Sequence, residues 1–323
     1  MTTSSQAAHH GFAHTAVFYY SEQEYLDSVG TFLSEGLGNG ESAWVAIPAN
    51  RIGPLRDTLS AVVGHAAAEV TWADVTELGR NPGRLLAAEL AFVERHSDRP
   101  VRLIAEPLWP GRAAIEYSGC MQCEALSNIA FHGSDAMSLC PYDASRLADD
   151  VLADARIAHP LVGHGAAQRR SPDYSINAAL DRGNEPLTTS PVAVTYTVYE
   201  AADLSGARQH SSRYGRLLGM STDRIADLQL IVTELATNGL QHGGGASRLA
   251  LWEHGGHLVC EARDSGCLAD PLVGYRPPAK HKPCASGLFV VNALADLVRT
   301  HTTPTGTTIQ AYLRLNRLPG GAM

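Results

Sequence analysis

The chain has 323 residues, of which 45% are hydrophobic and 18% are charged, and its formal net charge is −8 at pH 7. This length favours two domains, each with enough apolar residues to build its own core. The negative charge argues against direct nucleic-acid binding, which needs a surplus of Lys and Arg. No apolar run is long enough to span a bilayer, and no secretory signal pattern is present, so no membrane contact and a cytoplasmic location are expected.

Residues 13–162 are predicted to form an α/β domain with a parallel sheet. Short apolar runs alternate with amphipathic segments, which is typical of a sheet covered by helices on both faces. The predicted strands are 16–20, 42–48, 69–75, 101–107 and 137–142, and the predicted helices are 22–35, 54–63, 82–95, 115–130 and 146–157. Pro48, Pro107 and Pro141 are expected to end their strands because proline has no N–H for the ladder.

Several polar residues follow the predicted strands, where ligands bind in open parallel sheets. They are Glu106, Trp109, Cys140 and Tyr142, and we take them as candidate ligand contacts. Cys120 and Cys123 on the helix between them have the spacing of a metal or redox pair. Buried structural thiols are the favoured interpretation of that pair. His14, His132 and His159 are expected to make local hydrogen bonds rather than to bind a ligand.

This first domain resembles the MEDS sensory domain, a RecA-like fold that has lost its phosphate loop. The resemblance rests on residues 14–20, AEPLWPGR (105–112), CEALSNIAF (123–131) and LCPYD (139–143). Consistent with a lost phosphate loop, the acidic residues Glu22 and Glu24 follow the first strand. The resemblance implies a sensory role without naming a ligand.

Residues 163–190 are rich in Gly, Ser, Pro and charge and are predicted to be the linker between domains. Residues 191–316 are predicted to be an α+β sandwich, with mostly antiparallel strands on one side and three helices on the other. Its predicted strands are 192–199, 247–253, 257–264, 298–302 and 307–315, and its predicted helices are 203–218, 222–242 and 286–297.

The helix at 222–242 carries a polar row beside its apolar stripe. Glu234, Asn238 and His242 recur at steps of four, so they share one face. An Asn oxygen can ligate Mg²⁺, and a nearby Glu can orient or deprotonate an attacking hydroxyl. Taken alone, a solvated helix face is the simpler interpretation of this row.

Three further motifs follow in the second domain, each with a simpler structural interpretation beside the functional one. Asp264 ends the apolar face of a strand before Gly266, and its carboxylate could accept a hydrogen bond from an adenine amine or merely cap a turn. Ser286, Gly287 and Leu288 open a helix whose N–H groups could bind phosphate or simply be capped by Ser286. Thr308 follows a glycine into the last strand.

The order and spacing of these motifs resemble the Bergerat (GHKL) ATP-binding fold. The runs TELATNGLQHG (233–243) and SGLFVVNALADLV (286–298) are most similar to the serine kinases that act as anti-sigma factors. The resemblance implies ATP and Mg²⁺ as cofactors, Glu234 as catalytic base and Asn238 as Mg²⁺ ligand. It also implies Asp264 as the adenine contact, Gly266 and Gly287 as nucleotide-contacting glycines, and Thr308 as a further adenine contact.

By the same resemblance the chain is expected to be a transcription regulator whose sensor controls a serine/threonine kinase. The implied partners are a sigma factor and an anti-anti-sigma (STAS-type) protein, and relatives often form homodimers. Two lysines, Lys280 and Lys282, lie in the predicted lid and are either phosphate contacts or solvated residues. A glycine of the family's lid is replaced by Ala285, which favours the alternative of a non-catalytic, nucleotide-gated binding module. A histidine-kinase-like protein is the weaker third interpretation.

Overall fold

A computed structural model describes residues 11–164, 167–276 and 287–315 of the chain. The chain divides into two compact units, one of Met1–Gly79 with Ala88–Gly183 and the other of Arg80–Ala87 with Asn184–Met323. Among the described residues, helices that combine the length and the apolar character required to cross a membrane are absent.

The first unit is built on a seven-stranded, mostly parallel sheet. Its strands are β1 (Ala13–Tyr19), β2 (Ser42–Ile47), β3 (Thr71–Asp74), β4 (Val101–Ala105), β5 (Ala136–Asp143), β6 (Leu161–His164) and β7 (Ala167–Arg170). Their order is β3-β2-β4-β5-β1-β6-β7, and only the β6–β7 pair is antiparallel. Every residue of β4 is buried, as expected for a central parallel strand. The predicted α/β class is confirmed.

Helices alternate with these strands along the chain. They are α1 (Glu22–Gly38), α2 (Ala49–Val63), α3 (Val75–Leu78), α4 (Pro82–Arg95), α5 (Tyr117–Ala130), α6 (Asp149–Ala158) and α7 (Ile176–Gly183). The Ser21 side chain caps α1 by accepting a hydrogen bond from the Glu24 N–H. Val29 and Leu33, one turn apart on α1, are fully buried in the core between helix and sheet.

The predicted end of β5 at Pro141 is wrong, since the strand continues to Asp143. β4 pairs with β5 only as far as Leu139, whereas β1 pairs with it along its whole length. Pro141 therefore lies where β5 has a neighbour on one side only. At such a position the ladder tolerates a missing N–H.

The segment predicted as a linker holds ordered elements of the first unit. Between residues 161 and 183 the chain forms β6, β7 and α7, and α7 packs against α5. The two helices approach each other closely: a methyl group added to Gly183 of α7 would lie only 2.7 Å from Gln122 Cα of α5. Ala179 of α7 is completely buried. Glycine and charge content predicted a linker here, yet small residues are also what two closely packed helices require.

The second unit is an antiparallel sheet with helices. Its strands are β8 (Val194–Val198), β9 (Ser247–His254), β10 (His257–Asp264), β11 (Leu297–Thr303) and β12 (Gly306–Arg314), in the order β11-β12-β10-β9-β8. Its helices are α8 (Asp203–Leu217), α9 (Thr222–His242) and α10 (Gly287–Leu294). All four strand pairings are antiparallel, so the predicted α+β class is confirmed.

Helix α9 is the central helix of this unit. Leu228, Val232 and Leu235 on its apolar stripe are at most 1% exposed. Burying each such side chain stabilises the fold by about 1.5–3 kcal/mol. Gly239 continues the stripe without a side chain, and a methyl group there would lie 2.4 Å from Ser247 Cβ. The end of α9 therefore lies directly against the start of β9.

Truncation tests whether β7 and α7 belong to the first domain. A fragment of residues 1–183 should unfold at a higher temperature than a fragment of residues 1–162, because the shorter one exposes the face of α5 that α7 covers. If losing these contacts lowers the free energy of unfolding by about 2 kcal/mol, the melting temperature should fall by about 4–8 °C for a domain of this size. Equal melting temperatures, measured by circular dichroism, would make residues 163–183 a linker after all.

Candidate functional site

The polar row of α9 lies at one end of the second unit. Glu234 and Asn238 are half-buried and His242 is exposed, while the residues of the adjoining apolar stripe are buried. The Ser221 side chain caps the helix by accepting a hydrogen bond from the Arg224 N–H. The row is therefore held by a capped, well-packed helix, and its first two members are partly shielded from water.

The start of α10 lies against this row. A methyl group on Gly287 would stand 2.7 Å from Glu234 Oε2, 3.3 Å from Asn238 Oδ1 and 3.5 Å from Asn238 Nδ2. Leu288, the next residue, is buried in the core and holds the helix start in place. The first turn of a helix presents unpaired N–H groups and the positive end of the helix dipole. A carboxylate, an amide and a helix N-terminus thus meet at one place.

A second part of the site lies at the end of β10. Asp264 Oδ1 accepts a hydrogen bond of 2.8 Å from the Gly266 N–H, which leaves the other carboxylate oxygen available. A methyl group on Gly266 would come within 2.2 Å of the His242 carbonyl oxygen. Burial raises the pKa of Asp264, and the hydrogen bond from the Gly266 N–H opposes that rise. A partly desolvated acceptor with one free oxygen is suited to an exocyclic amine.

Two residues of this part were missed by the sequence analysis. Gly243 is required because a methyl group there would lie 2.4 Å from Asp264 Cβ. Thr307, rather than Thr308, is the register partner of Asp264, and its hydroxyl donates to the Gly266 carbonyl at 2.7 Å. Thr308 lies opposite Arg263 in the pairing of β10 with β12, and it is also buried. The pairing of β10 with β12 places Thr307 opposite Asp264, which alternation within a single strand could not show.

Three predicted residues of the lid, Lys280, Lys282 and Ser286, lie outside the described residues. Their predicted contacts with phosphate stay predictions.

In the first unit, Glu106 belongs to a buried polar cluster at the carboxyl end of the sheet. Arg51 donates to Glu106 Oε1 at 3.0 Å, and Tyr19 donates to the same oxygen at 3.3 Å. Asp143, at the end of β5, lies 3.8 Å from Arg51. Burial raises the pKa of Glu106 to about 7, although the Arg51 charge opposes this. Of these four residues only Glu106 was predictable from the sequence, because Tyr19, Arg51 and Asp143 are separated from it along the chain.

The other sensory candidates lie in different surroundings. Trp109 stacks under the guanidinium of Arg112, whose carbon is 4.3 Å from the ring centroid. The Cys120 thiol faces the Pro107 carbonyl at 3.7 Å, and burial raises the pKa of both Cys120 and Cys123. Cys140 and Tyr142 both contact Glu124 of α5. Cys140 and Tyr142 thus share Glu124 as a neighbour, whereas Trp109 contacts Arg112 and the Cys120 thiol faces the Pro107 carbonyl.

Comparison with known proteins identifies both units. The family model of the MEDS domain, the methanogen/methylotroph DcmR sensory domain, matches residues 13–160. The model of the histidine kinase-like ATPase domain matches residues 198–313. No curated protein matches the chain.

Among solved structures, the chain is similar to the RsbU and RsbW domains of a Mycobacterium tuberculosis protein. The sequence identity is 16% and the TM-score is 0.29, over 66% of this chain and 51% of that one. The chain thus spans about half the length of that structure, and so low a TM-score supports no argument about fold or activity. Each unit is matched by a family model: residues 13–160 match the MEDS sensory domain, and residues 198–313 match the histidine kinase-like (GHKL-type) ATPase domain.

Proposed function

We propose that the chain is a sensor-coupled regulator of the anti-sigma-factor type, which binds Mg-ATP and phosphorylates a serine or threonine of a partner protein. The observation that carries the proposal is the convergence of Glu234, Asn238 and Gly287. These residues belong to two helices, yet a methyl group on Gly287 would be within 3.5 Å of both side chains.

The two side chains of α9 have separate roles in the proposed reaction. Asn238 offers a neutral oxygen, the hard ligand type that Mg²⁺ prefers, beside the N-terminus of α10 where phosphates would lie. Mg²⁺ held by Asn238 would offset the negative charge of the nucleotide phosphates. Glu234, one turn earlier, orients the incoming hydroxyl and accepts its proton. His242, a turn beyond Asn238 and exposed, extends the same row toward the nucleotide.

The nucleobase is proposed to lie at the end of β10. Asp264 accepts the exocyclic amine of adenine on its free carboxylate oxygen, and Gly266 lets the flat base approach the backbone. The Thr307 hydroxyl supports this arrangement through its bond to the Gly266 carbonyl. Thr308 remains a proposed further contact, as do Ser286, Leu288 and the two lid lysines.

The partners are proposed from the resemblance of TELATNGLQHG (233–243) to anti-sigma-factor kinases. A STAS-type anti-anti-sigma protein would accept the phosphate, and a sigma factor would be the protein that is held and released. We propose that this takes place in the cytoplasm, with the MEDS domain supplying the sensory input. Direct contact with nucleic acid is not part of the proposal.

A second candidate function is nucleotide-gated binding of a partner without phosphate transfer. The observation that favours it is the lid sequence Cys284-Ala285-Ser286-Gly287, in which one family glycine is absent. By the family resemblance, loss of this glycine would slow phosphate transfer without abolishing nucleotide binding.

Replacing Asp264 with Asn tests the adenine contact. The substitution puts a donor where an acceptor is needed, so ATP affinity should fall by about 1–3 kcal/mol, or about 5- to 150-fold. Isothermal titration calorimetry with ATP measures this directly. Asp270→Asn is the matched control, because Asp270 is an exposed aspartate that also caps a turn, by accepting from the Leu272 N–H. Equal affinities for Asp264→Asn and wild type would remove Asp264 from the site.

Replacing Glu234 and Asn238 separately tests their different roles. Glu234→Ala should retain Mg-ATP binding but lose about 10²- to 10⁴-fold in transfer rate. Asn238→Ala should lose the part of ATP affinity that depends on Mg²⁺. ATP binding with and without Mg²⁺, and transfer of labelled phosphate to a STAS-type protein, are the measurements. Gln241→Ala, at an exposed position of the same helix, should behave like wild type.

Two outcomes would count against these roles. A Glu234→Ala protein that transfers phosphate at the wild-type rate would remove Glu234 as the base. A wild-type protein that binds a sigma factor and ATP but phosphorylates no partner would favour the binding-module alternative instead.

A further inference from the structure

Four side chains that commonly bind metals meet inside the first unit, away from Glu106 and its partners. They are His14 on β1, Glu124 on α5, Cys140 on β5 and His159 directly after α6, and each is at most 4% exposed. One ligand atom from each lies within 4.8 Å of the ligand atoms of the other three. Two imidazoles, a carboxylate and a thiol are therefore gathered in a single buried volume.

Four of the six ligand-atom distances within this His-Cys-Glu cluster (His14, Glu124, Cys140 and His159) are close to the edges of a tetrahedral zinc site, and all six are within 4.8 Å. Glu124 Oε2 is 3.2 Å from His14 Nε2, 3.2 Å from His159 Nε2 and 3.7 Å from Cys140 Sγ. Cys140 Sγ is 3.4 Å from His14 Nε2. Zinc–ligand bonds of about 2.0–2.3 Å at tetrahedral angles separate ligand atoms by about 3.3–3.6 Å. The four observed separations lie close to that range.

Hydrogen bonds outside the cluster fix which imidazole nitrogen carries the proton. The Asn128 amide nitrogen donates to the carbonyls of Ala158 and Glu124, so its oxygen faces His14 Nδ1 at 3.2 Å. His159 Nδ1 faces the Ala155 carbonyl at 2.8 Å. Both acceptors require an N–H on Nδ1, so each Nε2 is left with a lone pair. This is the arrangement in which protein histidines bind metals.

In the neutral form of both imidazoles, the two Nε2 lone pairs face a carboxylate oxygen, which is itself an acceptor. His159 Nε2 is fully buried and, despite its 3.2 Å distance from Glu124 Oε2, has no hydrogen-bond partner there. Neutral imidazole is the form that binds metals. With both imidazoles neutral, the single proton of the Cys140 thiol cannot satisfy two lone pairs and a carboxylate, so a cation between these atoms would remove the mismatch.

We propose that the His-Cys-Glu cluster binds one divalent transition-metal ion of the zinc class through His14 Nε2, His159 Nε2, Glu124 Oε2 and the Cys140 thiolate. Cys140 loses its proton to solvent as the metal binds. The resulting carboxylate and thiolate carry two negative charges, which balance the cation in a buried place where excess charge is costly. Mixed imidazole and thiolate ligands in four-fold coordination favour Zn²⁺ over Mg²⁺ or Ca²⁺.

Residues around the cluster hold its members in place. The Tyr142 hydroxyl donates to Glu124 Oε1 at 3.2 Å, which leaves Oε2 for the metal. Ser138 Oγ lies 3.7 Å from Cys140 Sγ and can donate to a thiolate there. Partners of this kind orient metal ligands and raise affinity. The site is independent of the nucleotide chemistry proposed above, because all of its residues belong to the first unit.

Metal uptake by the full-length chain tests the proposal without any activity assay. The protein is stripped with a chelator, dialysed and titrated with Zn²⁺ or Co²⁺ in the absence of nucleotide. We expect one equivalent of Zn²⁺ to remain after gel filtration, measured by elemental mass spectrometry. Co²⁺ should give the intense visible bands of a tetrahedral site together with a thiolate-to-cobalt charge-transfer band. Cys140→Ser should lose the charge-transfer band, and His159→Gln should weaken binding at least about tenfold.

Cys123→Ser is the matched control, because Cys123 is also a buried thiol of this unit but lies outside the cluster. It should bind metal as the wild type does. Retention of the charge-transfer band in a folded Cys140→Ser protein would overturn the assignment. If that variant does not fold, the wild-type spectrum decides: no stoichiometric uptake, or Co²⁺ bound without thiolate charge transfer, would leave only a hydrogen-bonded cluster and refute the metal site.

Discussion

The close approach of backbones at the end of α9 is the constraint on which the second unit depends. Gly239 brings the helix against Ser247, and Gly243 lets the following turn pass Asp264 without a clash. Gly266 meets the His242 carbonyl in the same place. A side chain at Gly239 would push β9 away from α9, and one at Gly243 or Gly266 would push the end of β10 away from it. The catalytic and adenine-binding residues proposed here would then no longer face a common space.

Most of the fold could be predicted from periodicity, because long buried strands and amphipathic helices differ clearly in their apolar spacing. The helix at 222–242 and the strand at 257–264 were predicted with the bounds that the structure gives. Composition predicts a linker at residues 163–190, whereas in the structure residues 167–183 include β7 and α7, and α7 packs against α5. Pairing between strands is not encoded in any single segment. It places Thr307 opposite Asp264, and it lets β5 continue past Pro141.

Site residues were predictable where their motif is local and were missed where it is not. Glu234 and Asn238 are one turn apart on one helix, and Asp264 and Gly266 share one turn. By contrast, the neighbours of Glu106 come from distant parts of the chain and are brought together only by the parallel sheet. The same holds for the His-Cys-Glu cluster: two of its members were expected to make only local hydrogen bonds. Burial of unpaired acceptors, rather than sequence spacing, is what indicates a cation there.

Nucleotide binding between α9, β10 and α10 is the central claim, and hydrogen–deuterium exchange of the full-length chain tests it most directly. With saturating Mg-ATP, exchange should slow at residues 234–243 and 264–266, which the nucleotide would cover. It should also slow at the start of α10, where backbone N–H groups would bind the phosphates. The β9–β10 turn at Gly255 and Gly256, which joins those strands at their opposite ends, should be unaffected. Protection confined to the first unit, or no protection anywhere at saturating nucleotide, would contradict the site.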